Sequence, residues 1–257
     1  DIYILKIPEY MAVEEMLHVL SANPDVEYAC PNFRTYITAV PKPNDNLFNW
    51  QYYLFNEGQQ IGLPGPSGKS RADIKALEAW QETKGDEGVV VAVIDTGIDF
   101  DHPDLEGKIS SDGYDFVNQD NEPIDDHGHG TYVSGLIAAK TNNREGIAGV
   151  SWHSTIMPLK AIEADGSGYV SDLIDAIRYA ADNGAGVISM SLGFALGPGE
   201  SVPALEQALQ YAFQKDVVCV ASAGNEGDSV LYPAAYDDYC LAVAATDYDD
   251  FRACLLY

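Results

Sequence analysis

Apolar positions along the chain follow two patterns. Five stretches are near-continuous apolar runs of strand length: GVVVAVID (88–95), STIMPLKAI (154–162), GVISMSL (186–192), DVVCVASAG (216–224) and YCLAVAATD (239–247). Runs of this kind suit parallel strands covered on both faces. Between them, Leu173, Ile174, Ile177, Ala180 and Ala181 share one helical face, and Leu205, Ala208, Leu209 and Ala212 share another. The alternation predicts an α/β domain built on a doubly wound, mostly parallel sheet with right-handed crossovers.

The first 36 residues read differently. DIYILKI and DVEYA have strand character, and Met11, Met16, Leu17 and Leu20 recur at helical spacing between them. That order predicts a partial small α+β module. From Val40 to Ser70 the chain is rich in turn residues (PKPND, NEGQQ, LPGPSGKS). The expected division is therefore residues 1–39 and residues 40–257.

Composition narrows the function. The chain has 257 residues, of which 46% are hydrophobic, enough for one full-sized domain and a small accessory segment. No apolar run reaches the roughly 18 residues of a membrane span. The start carries no charged-then-apolar leader, so any export signal is expected to lie outside these residues. Forty acids against fourteen bases give a net charge of −26, which repels phosphate backbones and argues against nucleic-acid binding. The same excess suits a secreted protein, a cation-binding protein, a salt-adapted one, or simply a solvated acidic surface. Cys30, Cys219, Cys240 and Cys254 show no CxxC spacing and do not define a redox compartment.

In open parallel sheets, ligands sit beyond the carboxyl ends of the strands. Three polar residues stand there: Asp95 closes the first run, Ser191 the third, and Asn225 follows the fourth. Elsewhere, PIDDHGHGTYVSGLIAA (123–139) sets His129 between two glycines, ahead of Val133, Leu136 and Ile137 at the spacing of a buried helix. An imidazole titrates near 6.5 and can take and return a proton. A carboxylate must orient it, and Asp95, at the end of an apolar strand, needs such a partner for its own charge. Taken singly, Asp95 could cap the next loop, and His129 could be satisfied by Asp125 or Asp126.

The chain also carries VAVIDTGIDFDHPDL (91–105), HGHGTYVSG (127–135), VISMSLG (187–193) and SAGNEG (222–227). In order and spacing these resemble the subtilisin-like serine proteases, the subtilases, over about residues 40–253. VEYACPNFRTY resembles the end of that family's inhibitory propeptide, with cleavage expected near Tyr36–Lys42. The resemblance implies that Asp95 orients the base, that His129, not His127, is the base, and that Asn225 donates to the oxyanion. It implies a substrate groove along Gly166, Ser167 and Gly168 and along Ser191, Leu192 and Gly193, with Ala223 and Gly224 beside the oxyanion donor. Substrate would lie there as an added strand, and Val170, Leu173 and Leu192 would line an apolar pocket. It further implies secretion, polypeptide substrates, the propeptide as intramolecular inhibitor, and structural calcium held by Asp45, Asp104, Thr141, Asn143, Glu145 and Ile147. A second cation site within residues 115–125 is weighed against a solvated acidic loop, and the loop is preferred. Tyr132 stands where the family usually has a second histidine.

The family's third catalytic residue, a serine in a glycine-flanked turn opening a helix, has no counterpart. Ser134 follows the base within its helix, Ser189 and Ser191 belong to the substrate strand, and Ser222 precedes the oxyanion donor. Cys254 has no supporting motif. The chain is therefore expected to be a piece of a serine endopeptidase that is inactive as it stands and folds poorly alone. The alternative is a non-catalytic module that binds peptides in the same groove. A metal-dependent hydrolase using His127 and His129 is the third reading, and no motif places a third ligand.

Overall fold

The computed structural model describes residues 3–8, 10–32, 41–225, 227 and 229–253. It divides into two compact units, Asp1–Ala39 and Val40–Tyr257. In the first, the described residues form one helix, α1 (Val13–Ser21), and no strand. This corrects the expectation of strands at DIYILKI and DVEYA. A strand exists only when its backbone is paired and one face is covered, whereas Ile4 is 82% exposed and α1 buries none of its residues. The expected cleavage region, Tyr36–Lys42, falls almost wholly outside the described residues.

The described residues of the second unit contain a six-stranded parallel sheet. Its strands are β1 (Val90–Asp95), β2 (Tyr114–Asp115), β3 (Thr155–Lys160), β4 (Val187–Met190), β5 (Val218–Ser222) and β6 (Cys240–Val243). The spatial order is β2-β3-β1-β4-β5-β6, and every neighbouring pair is parallel. The chain leaves β1 toward one edge, returns, and then builds toward the other. The order therefore reverses at β1, and the carboxyl end of that strand is where such a sheet opens a crevice.

The side-chain period of two explains how β1 is covered. Ala92 and Ile94 face a core shared with α4 (Val170–Asp182) and α5 (Pro203–Gln214), including Leu173, Ala176, Ile177, Leu205, Ala208 and Leu209. Val91 and Val93 face the other way, toward α3 (His129–Ala138), with Ile98, Leu105, Val133 and Ile156. Asp95 has the parity of Val91 and Val93 and so lies on the α3 side. A third cluster gathers Phe48, Leu54, Trp80 and α2 (Ala76–Glu82) around Ala148. Helix α2 and the two-residue β2 escape sequence reading because each is too short to show a period. Leu173 is buried in the main core, and Val170 and Leu192 are half-buried against it. Cys219 and Cys240 are register partners on β5 and β6, buried as free thiols, and burial pushes them up to about 12 and about 11.

Ile177 is completely buried between α4 and the sheet. Ile177→Ala is expected to cost about 2–5 kcal/mol through lost transfer energy and an unfilled cavity, measured as a lowered denaturant midpoint with unchanged slope.

Candidate active site

Asp95 ends β1, and His129 opens α3 on the side of the sheet that Asp95 faces. The imidazole Nδ1 meets Asp95 Oδ1 at 2.7 Å. The same oxygen accepts the Thr96 amide at 2.8 Å. Asp95 Oδ2 is buried and has no hydrogen-bond partner among the described residues. A buried carboxylate held through one oxygen depends on the imidazole N–H, and in turn fixes the tautomer that leaves Nε2 free for a proton. The His129 side chain is 42% exposed, so that nitrogen can be approached from solvent.

Two glycines make the approach of α3 to β1 feasible. Gly128, just before the helix, has φ +99, a left-handed conformation that side chains resist. A Cβ at Gly130 would stand 2.2 Å from the Gly97 carbonyl oxygen, so no larger residue fits against the turn after Asp95. Thr96 stitches this contact: its hydroxyl accepts the Gly130 amide at 2.9 Å and donates to Asp125 Oδ1 at 2.8 Å.

Asp125 serves the helix start. It accepts the amides of His127 (3.0 Å), Gly128 (2.7 Å) and Thr131 (2.9 Å), and the Thr131 hydroxyl. Burial alone would raise its carboxyl. The bonds from the Thr131 hydroxyl, the Gly128 and Thr131 amides and the Thr96 hydroxyl outweigh this and hold it well below the usual carboxylate range. The sequence suggests Asp125 as a direct partner of His129 or as the end of a cation-binding loop. It holds the turn that presents His129 instead, as does Thr96, which sequence reading passed over. The signal for both was their place on either side of the contact, directly after Asp95 and just before HGHG.

The remaining sequence candidates sit as follows. Gly166, Ser167 and Gly168 form an exposed bend beyond β3, closed by Ser167 bonds to Asp165 and by the Glu163 amide on the Ser167 carbonyl. His127 Nε2 lies beside Gly166. Ser191, Leu192 and Gly193 continue β4 up to an antiparallel bridge between Phe194 and Tyr232. Ala223, Gly224 and the exposed Asn225 follow β5, where the Ala223 amide donates to Val243 and Gly224 to the Ser222 hydroxyl. In sheet order, β3 and β4 flank β1. The two groove segments therefore leave the sheet on either side of the strand that carries Asp95. The His127 and His129 ring centroids are 6.3 Å apart, and among the described residues no group of three or more His, Cys, Asp or Glu is placed to hold a metal.

The proposed calcium residues gather at the loop after α3. Asp45 and Asp104 are buried and, among the described residues, neither is ion-paired with lysine or arginine. Asp45 accepts the amides of Asn142 and Asn143 at 3.0 and 3.3 Å. Asp104 accepts the Asn143 side-chain amide at 2.7 Å and the Ile147 amide at 2.8 Å. The Asn143 side-chain oxygen Oδ1 accepts the Glu145 amide, and Thr141 bridges the Ala139 carbonyl and the Gly149 amide. A Cβ at Gly146 would fall 2.1 Å from Asp104 Oδ2, so this loop wraps directly on the carboxylate. In residues 115–125 the acids diverge: Asp115 accepts from Asn118, and Asp125 serves the His129 turn.

The depressed Asp125 carboxyl sets a pH dependence. A group whose folded value lies below its unfolded one contributes stability above the ordinary carboxylate range and loses it as the pH falls toward the folded value. Stability should therefore fall below about pH 4. Asp125→Asn should melt lower at neutral pH and lose less on acidification, as followed by thermal melts across that range.

Residues 86–252 match the model of the subtilase family, peptidase S8. The thermophilic serine proteinase of Bacillus sp. (strain AK1) is 42% identical over 238 residues, covering 92% of this chain and 54% of that protein. The halolysin-like extracellular serine protease Nep of Natrialba magadii is 41% identical over 231 residues, covering 87% of this chain and 38% of that protein. The chain thus spans about half or less of these relatives. Among solved structures, a protease from Pseudoalteromonas arctica PAMC 21717 superposes with a TM-score of 0.70 at 28% identity, covering 83% of this chain and 68% of that one. With two thirds of its length matching one family model and a parallel sheet that brings Asp95 to His129, the chain belongs to the subtilase family.

Proposed function

We propose that this chain carries the acid–base and oxyanion-binding part of a subtilisin-type serine endopeptidase. The observation that supports it most is the 2.7 Å contact between the buried Asp95 and the accessible His129. In this reading His129 Nε2 removes the proton from a serine hydroxyl as it attacks a peptide carbonyl, and Asp95 stabilises the imidazolium that forms. The proton then passes to the leaving amine. Asn225 donates to the oxyanion, where charge develops only in the transition state. Substrate lies extended between residues 166–168 and 191–193, paired through its backbone. The chain's own first unit, residues 1–39, acts as the propeptide.

In this reading the attacking serine is supplied from outside these 257 residues, and the chain without it does not turn over substrate. Among the described residues, no hydroxyl is hydrogen-bonded to the His129 ring. The test is to read the coding sequence after Tyr257 and to assay the extended protein on a peptide p-nitroanilide. A glycine-threonine-serine turn is expected there, together with turnover blocked by phenylmethanesulfonyl fluoride. Asn225→Ala in that protein should cut turnover about 10²–10³-fold, the loss known for such a donor in subtilisin. Absence of such a turn in every frame, with peptide bound and not cut, would favour the binding module instead.

Secretion fits the acidic composition and the extracellular relative from Natrialba magadii. Calcium fits the carboxylates of Asp45 and Asp104, buried and, among the described residues, without a lysine or arginine partner, with Asn143 and the carbonyls of Thr141, Glu145 and Ile147 as further oxygens. The ion would supply positive charge to that buried pair and lock the loop after α3; it takes no part in the chemistry. Chelation should lower the melting temperature, and calcium at about 100 times its Kd should restore about 2.7 kcal/mol. A melt insensitive to both would remove calcium from the account.

A further inference from the structure

Lys160 is 1% exposed, at the carboxyl end of β3. It is the register partner of Asp95 on β1 and of Asp115 on β2, so three ionisable residues form one row across three strands. Lys160 shares the parity of Ile156 and lies on the α3 side of the sheet, as Asp95 does. Its ammonium makes two defined contacts. It donates to the Thr96 carbonyl at 2.7 Å and to Asp126 Oδ1.

These two acceptors belong to different parts of the site. Thr96 begins the turn after Asp95, and its amide donates to the oxygen that His129 also meets. Asp126 begins the turn before His129 and is adjacent to Asp125, which binds the start of α3. One nitrogen therefore ties the segment behind the acid to the segment behind the base. Among the described residues, Lys160 is also the lysine or arginine paired within the cluster of Asp95, Asp115, Asp125 and Asp126.

Stability alone is a poor reason for this arrangement. Burying an ammonium is costly, and replacing a buried ion pair by apolar residues of similar volume is often neutral or stabilising. We propose that Lys160 is a positioning residue of the Asp95–His129 pair, holding the turns at Thr96 and Asp126 in the register that keeps His129 Nδ1 on Asp95. The proposal rests on reading that pair as the acid–base centre. Lys160 touches neither substrate nor the reacting atoms; it acts through Thr96 and Asp126.

The test uses the whole chain labelled with ¹⁵N-histidine. A proton shared between an imidazole Nδ1 and a buried carboxylate resonates far downfield, and Asp95→Asn should abolish that signal. In Lys160→Met/Asp126→Asn, which removes both charges, the chain should melt cooperatively at or above the unaltered temperature while the signal is lost. Asp126→Asn alone disturbs only a half-exposed side chain. It releases one anchor of the ammonium, and should shift the signal upfield and broaden it even if the double variant fails to fold. A signal unchanged in position and width in a folded variant would overturn the positioning role and leave the reading of the pair intact. No such signal in the unaltered chain would overturn both.

Discussion

The contact between Asp95 and His129 requires a carboxylate to be seated, buried, at the end of an apolar strand. That requirement organises much of the second unit. β1 must be covered on both faces so that Asp95 is dry, which is why α3, α4 and α5 pack where they do. The helix bearing His129 must approach the strand end closely, which is why Gly128 and Gly130 stand on either side of the base. The turn at Thr96 must offer an amide to the carboxylate and a hydroxyl to the helix start at once.

Charge is treated differently inside and outside the molecule. The surface carries most of a large acidic excess, in which individual pairs are solvated and weak. The buried and half-buried acids are each held by named donors. Asp104 accepts amides from the loop that wraps it, Asp115 accepts from Asn118, and Asp125 gathers five donors at one turn. The donors come from the loops that wrap the acids, so each carboxylate ties down the loop that holds it. Composition reports the excess and cannot separate these two roles.

In the proposed reading, the order reversal at β1 is what would connect this local chemistry to a substrate. Loops leaving β3 and β4 emerge on either side of the strand carrying Asp95, and the segment with Asn225 leaves the next strand along. A peptide laid between the first two would cross the mouth of the site. Nothing in the spacing of Gly166, Ser191 and Asn225 along the chain conveys this, because adjacency in a doubly wound sheet is set by crossovers and not by sequence distance.

Five strands and two core helices were legible in the sequence because each repeats one period over enough residues to be recognised. Asp95 and His129 were legible because a charged residue ending an apolar run and a histidine between glycines break the local rules. The strands expected in the first unit were misjudged, since apolar character creates a strand only when another strand pairs with it. Lys160 lay unnoticed inside STIMPLKAI, where a terminal lysine looks like an ordinary solvated end. Its burial, its partners and the distance from Asp95 to His129 depend on which strands and turns become neighbours, and only the folded chain decides that.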